Sequence, residues 1–222
     1  MHINTDTEVK VIKIAGISGI LVPIIFITFV DLSISSSPWF TWIHHALSDL
    51  GIEGPSAVLF NTGIILTGIL LFLFSLGLIQ TLTTKEGGYI LLFGSLVFSG
   101  IGIFPIPIGI LHIYVSVLSF ILIITSLFVL GATMKHNPFE RKMGILAIMV
   151  SVGPICSFPL LLVHDGLAII ESVVLLPAFL WCMLYSATML IYNKKELYLN
   201  EVKMRRINQI RKKLILSFNR MN

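Results

Sequence analysis

The sequence has few charged residues and almost no cysteine. Only 12% of its 222 residues are Asp, Glu, Lys or Arg, whereas soluble domains carry about 25%. Hydrophobic residues make up 56% of the chain, and its mean hydropathy is +0.97, which argues against a soluble globular domain. Its two cysteines, Cys156 and Cys182, fall inside apolar stretches. This placement argues against a disulfide framework and against a zinc site built from cysteine.

Lysine and arginine are missing from alternate links between the apolar stretches. Six stretches are long enough to cross a hydrocarbon core of about 30 Å. We number the five links between consecutive stretches in chain order. All 15 Lys and Arg lie at the N-terminus, in links two and four, or after the sixth stretch. Links one, three and five have none. Because basic residues in short loops stay in the cytoplasm, this pattern predicts a cell-membrane protein with both termini cytoplasmic.

The predicted fold class is all-α: a polytopic membrane protein with six transmembrane helices in one bundle. The predicted spans cover about residues 11–31, 57–82, 89–104, 110–133, 143–163 and 167–192. These spans leave no room for a soluble domain, so residues 1–192 are expected to form one transmembrane domain. Its first partner is therefore the lipid bilayer.

Residues 193–222 form the second predicted unit, a basic cytoplasmic tail. They carry nine of the 15 Lys and Arg, and Ile207, Ile210, Leu214 and Phe218 recur among them at helical spacing. A basic amphipathic helix of this kind lies along anionic lipid head groups. Contact with a membrane-protein partner is the alternative. The tail contains no base-reading motif, so nucleic acid is not an expected partner.

Link one carries the most informative string of residues, WIHHALSDLG at positions 42–51. Ser36, Ser37 and Pro38 can start a helix and Gly51 can end it, so we predict a short interfacial helix after the first span. On such a helix His45 and Asp49 are four residues apart, as are His44 and Ser48, and each pair shares a face. A carboxylate beside an imidazole orients it, which suits a proton carrier or a metal ligand.

Further polar residues are predicted on the same, outer side of the membrane. They are Asp31, Asn61, His112, His164, Asp165 and Glu171. Ionisable residues inside a spanning region are costly and mark functional sites. Glu171 and His112 are the deepest of these, and Glu171 joins Asp49 and Ser48 of link one as a candidate catalytic residue.

A divalent metal such as zinc is the first cofactor to consider at this side. Histidines and a carboxylate form the common ligand set of catalytic zinc, so the candidate ligands are His45, His112, His164 and Asp49, with Asp165 as a substitute. Haem ligation is less favoured, because it needs two histidines inside the bundle and only His112 lies deep enough. A serine nucleophile is disfavoured, since no elbow motif is present. A purely structural role, in which these residues cap helices and bridge loops, stays open.

The string HHALSDLG, followed by Asn61, Thr62 and Gly63 at the head of span two, resembles the signature of a prokaryotic multi-pass membrane family. That family is catalogued as domain of unknown function 998. Its members are similar in having about six spans, an H-x-L-S-x-L-G-like string after span one and a histidine opening span four. The matching positions here are His45, Leu47, Ser48, Leu50, Gly51 and His112. The resemblance covers most of the chain and implies fold and topology, but no activity.

Two functions fit these features, and whether the protein is an enzyme stays open. The first is metal-dependent chemistry on a lipid-like substrate in a His/carboxylate pocket on the extracytoplasmic side. The alternative is a non-catalytic accessory or structural subunit of a membrane complex, or a small carrier. Small residues in span three, such as Gly94, Gly100 and Gly102, favour the alternative because they permit close helix contacts.

Overall fold

A computed structural model describes residues 5–155 and 166–191, and every regular element in these ranges is helical. The helices are α1 (Thr5–Ser35), α2 (Gly54–Thr81), α3 (Glu86–Ile103), α4 (Ile110–Thr133), α5 (Pro138–Val152) and α6 (Ala168–Ile191). Short 3₁₀ turns at Leu47–Gly51 and Ile106–Ile108 interrupt the links after α1 and α3. The predicted all-α class is confirmed for this part of the chain.

Five of the described helices, α1, α2, α3, α4 and α6, are long and apolar enough to cross a membrane. Their bounds lie within a few residues of the predicted spans, except that α1 begins and ends several residues further out than expected. The helix α5 has 15 residues, and the predicted span 143–163 continues into residues outside the described ranges. Six spans therefore stay a prediction. The predicted amphipathic helix of the tail lies outside the described residues and stays a prediction as well.

Neighbouring helices in the chain pack against each other, and α6 closes the bundle. α1 packs on α2, α2 on α3, α3 on α4 and α4 on α5, while α6 packs mainly on α1 and α5. Phe179 of α6 lies edge-on to Phe26 of α1 and to Phe98 of α3, at centroid distances of 5.1 and 5.8 Å. α4 and α6 contact each other at few positions, which leaves a gap between them.

Small residues in α2 and α3 let these two helices approach closely. A Cβ atom on Gly68 would lie 2.9 Å from the carbonyl oxygen of Ser95 and 2.1 Å from the hydroxyl of Ser99. A Cβ atom on Gly102 would lie 2.5 Å from the carbonyl oxygen of Asn61. Gly68 and Gly102 therefore pack inside the chain, and their small surfaces serve the bundle itself.

The two ends of the bundle differ in charge. Links one and three meet at one end, where the two 3₁₀ turns contact each other and link one contacts the start of α6. Antiparallel packing of consecutive helices places the described basic residues at the other end. They are Lys10, Lys13, Lys85, Lys135, Arg141 and Lys142. We refer to these as the link-one end and the basic end.

The predicted interfacial helix in link one is much shorter than expected. Helical structure resumes only at Leu47, and residues 37–46 contain turns but no helix. The N–H groups of Ser37 and Phe40 bond to carbonyl groups three residues back, and Pro38 disfavours the helical conformation at Ser37. The prediction that His45 and Asp49 share a helix face was therefore wrong.

Candidate functional site

Link one is docked on the start of α6 by backbone hydrogen bonds. The N–H of Gly166 donates to the carbonyl of Ile43 at 2.8 Å, and the N–H of Ala168 donates to that of His45 at 3.0 Å. A Cβ atom on Gly166 would lie 2.4 and 2.5 Å from the backbone N and O of His45. This approach is too close for any side chain, which explains why glycine stands here.

Two carboxyl groups hold the chain where the 3₁₀ turn begins. Asp49 Oδ2 accepts the N–H of Ala46 at 2.8 Å, and Glu171 Oε2 accepts the N–H of the buried Leu47 at 2.5 Å. Ser48 and Asp49 line the same cavity wall as Glu171. Two acidic side chains from distant parts of the sequence thus share one site.

The side chain of Asn61 fixes the other end of the same turn. Its Nδ2 donates to the carbonyl of Gly51 at 3.1 Å, which connects the end of the turn to α2. Link one is therefore held on two sides, by α6 and by α2, and the position of Ser48 and Asp49 follows from these contacts.

His112 lies in the first turn of α4 and is only 7% exposed. Its Nδ1 is 2.8 Å from the carbonyl oxygen of Phe104. A carbonyl oxygen only accepts hydrogen bonds, so Nδ1 carries a proton and Nε2 of the neutral ring is an acceptor. Ser116 Oγ lies 3.4 Å from Nε2. The sequence analysis overlooked Ser116, although its spacing of four residues from His112 was a usable signal.

A cavity of about 720 Å³ lies in the gap between α4 and α6. One part of its wall is polar and is formed by Ser48, Asp49, His112, Ser116 and Glu171, which we call the polar cluster. The rest is mainly apolar and includes Ile110, Ile113, Val117, Phe120 and Ile124 of α4 and Ile170 and Val174 of α6. These apolar residues recur every three or four positions, so each helix contributes one face.

A second cavity, of about 20 Å³, adjoins the polar cluster on the side of the bundle core. It shares Ser48, Ser116 and Glu171 with the larger cavity, and its other walls include Phe26 and Phe98. This volume is enough for one water molecule. A water at this place would lie within the polar cluster's reach and away from the cavity mouth.

The predicted metal ligands are only partly brought together. His112 and Asp49 line the cavity, whereas His45 packs its ring against Trp39, at a centroid distance of 5.1 Å, and its Nδ1 contacts Thr41. His164, like Asp165, lies outside the described residues. Within residues 5–155 and 166–191, no three His, Cys, Asp or Glu side chains form a group that could hold a metal ion. The metal site that includes His164 stays a prediction.

The predicted catalytic residues Ser48, Asp49 and Glu171 all reach one cavity wall, although the shared helix face that suggested part of this grouping does not form. A family model described as protein of unknown function (DUF998) matches residues 20–188, which is more than half of the chain. It is the family that the HHALSDLG string resembles, and the matched range contains every member of the polar cluster. No curated protein and no solved structure matches the chain.

Proposed function

The chain belongs to the DUF998 family of proteins of unknown function, and we propose that it is a membrane protein whose α4–α6 cavity binds an amphipathic, lipid-like molecule. We propose that the polar cluster then acts on the head group of this molecule by proton transfer. The observation that carries the proposal is the division of the cavity into a polar part and a long apolar part.

The mouth of the cavity supports entry of the ligand from the bilayer. Ile110 and Ile113 line the cavity, yet they are 61% and 54% exposed. They belong to a helix that is apolar and long enough to span the membrane, so the surface they share faces hydrocarbon. An acyl or alkyl chain would therefore reach the cavity without leaving an apolar environment.

The polar cluster contains the side chains that proton-transfer chemistry uses. Carboxyl and imidazole groups act as general acids and bases, and Asp49, Glu171 and His112 supply them at one wall. Glu171 is the preferred acid–base residue, because it borders both the large cavity and the water-sized one. Ser48 and Ser116 would position the head group by hydrogen bonds.

Membrane orientation follows, in this proposal, from the charge difference between the ends. The basic end is assigned to the cytoplasm, with both termini, and the link-one end to the outside. The nine Lys and Arg of the tail are assigned to anionic lipid head groups on the cytoplasmic leaflet. The polar cluster would then act on molecules of the outer leaflet.

Binding is tested with a tryptophan placed in the cavity wall. Val117→Trp should fill the cavity, while Leu118→Trp, one residue further along α4 and outside the cavity lining, is the matched control. Native mass spectrometry of the protein in amphipol, with dodecyl maltoside as the probe, should show loss of bound probe for Val117→Trp alone. Equal binding by both variants and the wild type would overturn the proposed site.

Turnover is tested separately, by incubating the protein with lipid extracts and comparing the wild type with Glu171→Gln. A product that forms with the wild type and not with the variant supports proton-transfer chemistry. Probe binding without any product would instead favour the alternative function of a carrier or an accessory subunit.

Metal assistance is proposed on the basis of His112 and Asp49, with His164 as a third ligand. The test is metal analysis of the purified protein and of His112→Ala. Stoichiometric metal in the wild type that is lost from His112→Ala supports this step. Absence of stoichiometric metal from repeated wild-type preparations removes metal from the proposal and leaves proton transfer by the polar cluster.

A further inference from the structure

We propose that the amphipathic ligand of the α4–α6 cavity has a cationic amine head group and a single apolar chain. This inference rests on the proposed function, because it names the class of molecule that the same cavity takes. Three properties of the polar cluster and its surroundings carry it: two carboxyl groups with no Lys or Arg nearby in the sequence, a surplus of hydrogen-bond acceptors and a limited volume.

Lys and Arg are absent from the parts of the sequence that form the site. Asp49 and Glu171 both line the cavity, and residues 14–84, 86–134 and 143–193 contain no Lys or Arg at all. This statement includes residues 156–165, the segment between α5 and α6. The basic tail begins beyond Ile191, which is 20 residues along α6 from Glu171, or roughly 30 Å at 1.5 Å per residue.

A cationic head group would therefore find two carboxyl groups and no Lys or Arg to compete with it. An anionic head group, such as a sulfate or a phosphate, would meet like charge in a partly apolar cavity, where repulsion is screened less than in water. The electrostatics of the described site thus select against anionic amphiphiles.

Hydrogen-bonding capacity points to the same head group. Carboxylate oxygens only accept hydrogen bonds, and Nε2 of a neutral His112 ring is an acceptor because Nδ1 donates to the carbonyl of Phe104. A protonated amine has three N–H donors and no acceptor. The amine therefore matches the polar cluster, whereas a head group that only accepts would find mainly the hydroxyl groups of Ser48 and Ser116 as donors.

The size of the cavity selects a small amphiphile. Its volume of about 720 Å³ falls within the range of about 300–1,000 Å³ that holds drug-sized ligands. From His112 of the polar cluster to Ile124, the face of α4 that lines the cavity extends over 12 residues, or roughly 18 Å. An alkyl chain of about a dozen carbons can lie along this face with its amine at the polar cluster.

The test compares probes with the same 12-carbon chain and different head groups: dodecylamine, dodecyl maltoside and dodecyl sulfate. An alkylamine is protonated at neutral pH, as the Lys amine is. Native mass spectrometry of the full-length protein in amphipol should rank dodecylamine first, at least about tenfold tighter than dodecyl maltoside, and dodecyl sulfate last. Val117→Trp should abolish binding of dodecylamine.

The second part of the test uses variants in which an amide replaces a carboxyl group of the cavity. Asp49→Asn and Glu171→Gln keep an acceptor oxygen for the backbone N–H that each residue binds, so both should fold, which thermal unfolding of the purified variants checks. Each should weaken dodecylamine binding about tenfold or more. Glu53→Gln, which removes an exposed carboxyl at the link-one end outside the cavity, should change nothing.

The outcomes separate this inference from the proposed function. If all three probes bind equally and Val117→Trp still blocks them, the amine head group is refuted and the amphiphile site stands. The same holds if Asp49→Asn and Glu171→Gln leave the ranking unchanged. If Val117→Trp affects no probe, both the site and the head-group inference fall.

Discussion

Replacing Gly166 by alanine should undock link one from α6. The added Cβ atom would lie 2.4 to 2.6 Å from backbone atoms of His44 and His45, and backbone atoms cannot give way as a flexible side chain does. Link one must therefore move away from the start of α6. The hydrogen bonds from Gly166 and Ala168 to the carbonyls of Ile43 and His45 would be lost together.

The expected cost follows from the bonds that docking maintains. Each of the two backbone hydrogen bonds is worth about 1 kcal/mol. The bond between Leu47 and Glu171 depends on the same docking and adds a similar amount, for a total of about 3 kcal/mol. For a domain of this size, 1 kcal/mol corresponds to about 2–4 °C, so we expect the unfolding temperature to fall by roughly 6–12 °C.

The assay is thermal unfolding of the purified protein in detergent micelles, followed by tryptophan fluorescence. Gly153→Ala is the matched control, because a Cβ atom there would have no neighbour within 4 Å. It should change the free energy of unfolding by less than about 0.5 kcal/mol. Gly166→Ala should also lose bound dodecyl maltoside, since link one carries Ser48 and Asp49. If Gly166→Ala unfolds at the same temperature as Gly153→Ala, the docking argument is refuted.

Substitutions at two further residues probe the contacts around the cavity and within the bundle. Glu171→Ala leaves the buried N–H of Leu47 without its acceptor and should destabilise the protein by about 1–3 kcal/mol, whereas Glu171→Gln retains an acceptor and should cost less than half as much. Equal unfolding temperatures for these two variants would contradict this role. Gly68→Ala places a Cβ atom 2.9 Å from the Ser95 carbonyl oxygen and should destabilise by about 1–3 kcal/mol. An unchanged unfolding temperature for Gly68→Ala would contradict the conclusion that α2 and α3 pack closely at Gly68.

Hydropathy predicted most of the helical layout because it acts locally. A run of apolar residues such as 110–133 is long enough to span the hydrocarbon core, and α4 occupies these same residues. The conformation of link one was less predictable. Ser36 and Ser37 do not cap a helix: the Ser36 hydroxyl donates to the carbonyl of Leu32, and the chain forms tight turns around Pro38, so helical structure resumes only at Leu47.

The candidate site was predictable by residue type and only partly by geometry. Glu171 was chosen because a charged group inside an apolar span is costly, and Asp49 was chosen on its spacing from His45; both line the cavity. His45 was chosen on its spacing from Asp49, and that spacing has its expected meaning only in an α-helix. Ser116 was overlooked because a serine within an apolar helix carries no charge to draw attention.

By itself, the sequence determined that the chain is built of long apolar helices and that its basic residues are confined to alternate links. Both properties follow from side-chain transfer energies, which depend on each residue and its near neighbours. Only the tertiary structure decided that Glu171 meets Leu47 across 124 positions of the chain and that α4 and α6 leave a cavity between them. These features depend on how distant helices pack, and packing is set by contacts such as those of Gly68 and Gly166 that no local pattern records.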